Sequence, residues 1–96
     1  MNNIVLKFKE SASKEFSKIP KQLQPKIYDE IQSLKENPLK GKKLKGKLSA
    51  FRRIRIGKYR VAYKFIHCEI VIIVVKIGDR KDFYEQLSRL VQDMRK

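Results

Sequence analysis

The sequence predicts an α+β fold of element order β-α-α-β-β-β-α, an α-hairpin packed on a small, mainly antiparallel sheet. Two apolar repeats at helical spacing, closed by Pro20 and by Asn37-Pro38, predict the hairpin. Three later runs rich in β-branched and aromatic residues, with connections short enough for hairpins, predict the sheet.

Ile4, Leu6 and Phe8 alternate with Val5, Lys7 and Lys9, which reads as an edge strand over residues 3–9. Ser11 or Ser13 is placed to cap a helix carrying Ala12, Phe16 and Ile19, up to Pro20. Leu23, Ile27, Ile31 and Leu34 then repeat at four, four and three residues. Pro25 suits the first turn of this second helix, where its missing N–H leaves no bond unmade, and Asn37-Pro38 stops the pattern. The lysine-rich stretch from Leu39 to Ala50, punctuated by Gly41 and Gly46, reads as a loop. Residues 51–56, 59–66 and 70–77 form a meander through Gly57-Lys58 and His67-Cys68-Glu69. Beyond Gly78, Phe83, Leu87, Leu90, Val91 and Met94 predict a C-terminal helix within residues 79–96. This layout expects the helices on one face of the sheet and leaves the other uncovered.

Ninety-six residues support one domain, spanning 1–96, and exclude a second catalytic domain. Lys and Arg number 24 against 10 Asp and Glu, a net charge of +14. Such an excess opposes folding by self-repulsion and calls for an acidic protein, a phosphate backbone or an anionic membrane as partner. The longest apolar run, Ile70 to Val75, is far short of a membrane span, and the N-terminus lacks the pattern of a secretory signal. Cys68 stands alone, so neither an internal disulfide nor a zinc site is expected, and a cytoplasmic setting is the natural one. With no glycine-rich phosphate loop and no metal-ligand spacing, no cofactor is expected. His67 and Cys68 fall in a predicted hairpin turn, away from the arginines.

Side chains alternate along a strand, so Phe51, Arg53 and Arg55 share one face while Arg52, Ile54 and Ile56 share the core face. Arg60 shares its face with Ala62, Lys64 and Ile66, opposite Tyr59, Val61, Tyr63 and Phe65. Arg53, Arg55 and Arg60 therefore converge on the open side, and Arg80 joins them if the last strand lies alongside. Converging cations without interleaved carboxylates mark an anion site, because like charges repel unless an anion occupies it. Lys43 and Lys45 of the loop, with Lys64, attract phosphate without reading sequence. Phe51 and Tyr84 are the aromatic residues expected to be partly exposed and available to stack on a base.

Over nearly its full length the chain resembles the RelE/ParE superfamily of bacterial and archaeal toxins. The resemblance is carried by Asn37-Pro38, by Lys43-Leu44-Lys45-Gly46, by the run from Phe51 through Gly57-Lys58-Tyr59-Arg60 to Tyr63, and by Ile77-Gly78-Asp79-Arg80 to Tyr84. It implies a microbial RNase-like fold held inactive by a cognate antitoxin. RelE-like members are ribosome-dependent, metal-independent endoribonucleases that cleave mRNA in the ribosomal A site; ParE-like members inhibit DNA gyrase on a similar scaffold. The RelE-like basic positions fall on Arg53, Arg55, Arg60 and Arg80, and the C-terminal tyrosine on Tyr84. All are filled, which favours cleavage by attack of the ribose 2′-oxygen on the adjacent phosphate. Arg60 and Arg80 are then assigned to phosphate charge and Tyr84 to orienting the nucleotide. An arginine is a poor proton acceptor, so the general base stays open between Tyr84, Lys64, Lys76 and the ribosome. The partners implied are the antitoxin, the ribosome and mRNA, with no membrane and no small-molecule cofactor.

Overall fold

The computed structural model describes residues 3–94 and has the expected α+β class. Strand β1 (Val5–Phe8) leads into α1 (Glu10–Ser17) and α2 (Gln24–Gln32); β2 (Lys42–Lys43), β3 (Arg52–Ile56), β4 (Tyr59–Ile66), β5 (Val71–Gly78) and α3 (Phe83–Met94) come after. The strands form one sheet in the order β1-β5-β4-β3-β2, parallel only between β1 and β5. Residues 95–96, included in the expected last helix, lie outside the described residues.

Neither serine caps α1. Its N-cap is Lys9, with no side-chain cap bond. The Lys9 N–H still donates to Val74 O at 2.8 Å, as the last rung of the β1–β5 ladder, and the Lys9 carbonyl accepts from Ser13 N at 2.9 Å. One residue thus closes the strand and opens the helix, which leaves no room for a serine cap. Pro25 sits in the first turn of α2 as expected, and the helix tightens into a 3₁₀ turn over Ser33–Lys35 that buries Leu34. Gln24 joins the two helices by donating Nε2 to the carbonyls of Phe16, Ser17 and Ile19, the last at 2.9 Å.

The helices divide between both faces of the sheet, which corrects the one-sided expectation. Ala12, Ile19, Ile27, Ile31 and Leu34 pack with Ile54, Ile56, Val61, Tyr63, Ile72, Val74 and Ile77 in one core. Phe83, Leu87 and Val91 of α3 pack on Phe51, Ala62 and Val75 in a second. The apolar stripe of α3 needs a surface, and the first face is already filled by the hairpin. Part of the lysine-rich loop is also a strand: β2 pairs Lys42 with Arg53 and Lys43 with Arg52.

A register shift between β4 and β5 decides which face Lys76 occupies. Ala62 pairs with Lys76 but Tyr63 with Val74, so Val75 is an extra residue. Unshifted alternation would have put Lys76 opposite Val61, in the first core. The bulge moves it onto the face of Ala62 and lets Val74 and Val75 enter different cores.

Candidate nucleic-acid interface and active site

Directly paired residues of adjacent strands project from the same face of a sheet, so the registers define rows of side chains on the α3 side. One row runs Lys42, Arg53, Ala62, Lys76 across β2 to β5. The next runs Arg55, Arg60, Gly78. Arg80 lies two residues beyond Gly78, is exposed, and its carbonyl accepts the Phe83 N–H at 3.1 Å at the start of α3. Arg55 and Arg60 lie next to the two-residue turn at Gly57, whose φ of 60° is the left-handed conformation such hairpins require.

The ion pairs among the described residues take up none of Arg53, Arg55, Arg60 or Arg80. The Arg53 Nε is buried without a hydrogen-bond partner. Arg55 stands directly opposite Arg60, a repulsive pairing. Tyr84 is half-buried, edge-on to Phe83 at 5.1 Å between centroids, with the Arg60 guanidinium carbon 5.9 Å from its ring centre. The arrangement provides unneutralised cations in two adjacent rows beside an aromatic ring. Chemically it can bind phosphate, stabilise developing negative charge and orient a nucleotide.

Arg80 also lines a cleft of about 370 Å³ between α1, the end of β5 and the start of α3, with Glu15, Lys18, Tyr59 and Phe83 on its walls. Glu15 acts there in place of a strand neighbour. β1 ends at Phe8, opposite Val74, so the free edge of β5 beyond it is met by α1: Glu15 Oε1 accepts the Ile77 N–H at 2.9 Å and Oε2 pairs with Lys76 Nζ at 2.8 Å.

Phe51 is a correction. It is 4% exposed, in the core beneath α3, so its face cannot stack on a base; Lys64 Nζ stands 5.9 Å from its ring centre instead. The expectation of an open sheet face had placed it outside. Lys64 is half-buried, and Lys43 and Lys45 are exposed, but the register sets Lys43 opposite Arg52, away from the arginine rows. Lys42 is the loop lysine that joins them. Reading the segment as a loop removes the parity that would have found it. His67 and Cys68 lie in an exposed 3₁₀ turn at the opposite end of β4 from Gly57, apart from the arginines as expected. Among the described residues there is no group of three or more His, Cys, Asp or Glu that could hold a metal, and no helix long and apolar enough to cross a membrane.

The family model for the ParE toxin of type II toxin-antitoxin systems, parDE, matches residues 6–84. A protein of Escherichia coli named as RelE-like toxin is 30% identical over 87 residues, covering 86% of this chain and 92% of its own. The chain belongs to the RelE/ParE superfamily of type II toxin-antitoxin toxins. Its fold is similar to that of a doubly substituted E. coli RelE toxin in the free state, with a TM-score of 0.79 at 22% identity over 98% of this chain and 99% of that one. It is also similar to a chain of the toxin-antitoxin complex RelBE2 from Mycobacterium tuberculosis, with a TM-score of 0.74 at 22% identity over 80% and 98%.

Proposed function

We propose that this single toxin domain is a ribosome-dependent endoribonuclease that cuts mRNA in the A site and is held in check by a cognate antitoxin. The observation that carries the reading is the pair of cationic rows, Arg53 with Arg55 and Arg60, left without carboxylate partners next to Tyr84, with Arg80 two residues beyond Gly78 of the second row. A phosphodiester is the anion that fits such a face. In the reaction the ribose 2′-oxygen attacks the adjacent phosphorus and gives up its proton, while the 5′-oxygen departs and takes one up. The products are a 2′,3′-cyclic phosphate and a 5′-hydroxyl. Arg60 and Arg80 stabilise the charge on the phosphoryl oxygens, Arg53 and Arg55 hold neighbouring phosphates, and Tyr84 orients the nucleotide. The Lys76 ammonium is committed to Glu15, which leaves Tyr84, Lys64 or a group of the ribosome as proton acceptor. Without a strong base of its own the protein depends on the ribosome to position the message, which places its action in the cytoplasm. The related toxin in the RelBE2 complex, together with the charge of +14 here, supports an acidic antitoxin as the inhibitor.

The ParE description of the matching family model favours a second reading, inhibition of DNA gyrase without cleavage. Induction in bacterial cells with primer-extension mapping of message 5′ ends separates the two. Cuts within translated codons, lost in Arg80→Ala, are expected. Growth arrest with intact messages and accumulating DNA breaks would overturn the nuclease assignment.

A further inference from the structure

Five lysines, at 40, 42, 43, 45 and 47, crowd an eight-residue segment, and Lys40 has one carboxylate contact, to Glu30 at 3.2 Å. The two-residue ladder, one further bond from Leu44 N–H to Phe51 O at 3.0 Å, and the packing of Leu44 and Leu48 on the second core hold the middle of the segment against this repulsion. Its start is held by two side-chain hydrogen bonds of Lys40 Nζ, to Glu30 and to Ser33 Oγ at 3.3 Å, and by four more with Tyr63 and Arg52. The Tyr63 hydroxyl donates to Pro38 O at 2.7 Å and accepts the Gly41 N–H at 2.9 Å. Arg52, in register with Tyr63, donates Nη1 to Leu39 O at 3.2 Å and to Gly41 O at 2.9 Å. Gly41 is required by this approach, since a Cβ there would lie 2.8 Å from the Tyr63 hydroxyl and ring. The next residue in the chain is Lys42, opposite Arg53.

We propose that Tyr63, together with Arg52, is a positioning residue for RNA binding: it clamps Pro38–Gly41 so that Lys42 stands beside Arg53 and extends the arginine face by one fixed cation. The inference rests on the RNA-cleaving function proposed for the chain and adds to it a residue that touches no RNA. A charge fixed on folding loses less entropy when the ligand arrives.

The test is equilibrium binding of a short 2′-O-methylated single-stranded RNA, which cannot be cleaved, across a range of salt concentrations. Lys42→Ala is expected to weaken binding roughly three- to tenfold, the worth of one exposed charge-assisted contact. Its log-affinity against log-salt slope should fall by about 0.7. Lys7→Ala, on β1 at the opposite edge of the sheet, gives the effect of charge alone. Tyr63→Phe should reproduce the Lys42→Ala loss, and adding Lys42→Ala to it should cost nothing more. Arg52→Met should couple to Lys42 in the same way, and it serves if Tyr63→Phe fails to fold. Wild-type affinity in Tyr63→Phe, losses that simply add, or no affinity of the wild type for RNA would each overturn the clamp. Message cleavage in cells is read separately: cleavage with additive losses overturns the clamp alone, and coupled losses without cleavage overturn the nuclease reading alone.

Discussion

Glu15 and Lys76 meet at 2.8 Å although 61 residues separate them, and the same carboxylate accepts the Ile77 N–H. One side chain thereby satisfies a buried ammonium and a backbone donor that no strand reaches. Glu15→Ala leaves both without a partner. Because the Glu15 side chain is 31% exposed, water screens part of the loss, and a destabilisation of about 2–3 kcal/mol is expected. Glu15→Gln keeps an acceptor for Ile77 and should recover part of it. Urea denaturation of the three proteins measures both effects, and a Glu15→Ala midpoint equal to wild type would refute the role.

The Lys76 position also explains what the sequence did and did not disclose. Parity placed Ile54, Ile56, Val61 and Tyr63 on the core face and Arg53, Arg55 and Arg60 on the other, and each lies there. Alternation is a local property, so it survives without knowledge of the partners. The bulge at Val75 is a property of two strands together, with only the adjacent valines of β5 to hint at it, and it reversed the face of Lys76. The same holds for α3. Its apolar stripe was legible at Phe83, Leu87 and Val91, but which face of the sheet it would cover depended on the space left by α1 and α2, and the burial of Phe51 is a consequence of that.

Tyr63 ties stability to alkaline pH. Burial raises its phenol above the ordinary value of 10.0, against smaller opposing effects of the Gly41 N–H and the Arg52 charge. Near that pH the unfolded chain releases the phenolic proton while the folded chain keeps it, so the free energy of unfolding falls and the fold loses stability as pH rises. The contribution is fully present below the unfolded value and is lost as pH climbs from about 10 toward the folded one. Tyr63→Phe should lower stability at neutral pH by about 1–3 kcal/mol, because Pro38 O and Gly41 N–H lose their partner. It should also show a shallower decline above about pH 10. Chemical denaturation of both proteins as a function of pH checks this, and parallel declines would contradict it.

The direct pairing of Arg55 with Arg60 sets anion binding against stability. Like charges opposite each other on a sheet cost roughly 0.2–1 kcal/mol, so Arg55→Ala in phosphate-free buffer should stabilise the protein by about 0.5 kcal/mol. A bound anion removes that cost. Inorganic phosphate is therefore expected to raise the Tm of the wild type progressively with concentration, as any ligand of the folded state does, and to raise that of Arg55→Ala or Arg60→Ala less. The variant that begins more stable without phosphate should be overtaken by the wild type when phosphate is abundant. Thermal melts across a phosphate series at constant ionic strength test the crossing. Equal shifts in all three proteins would show that the row does not gather an anion, and would remove the physical basis for placing a phosphodiester there.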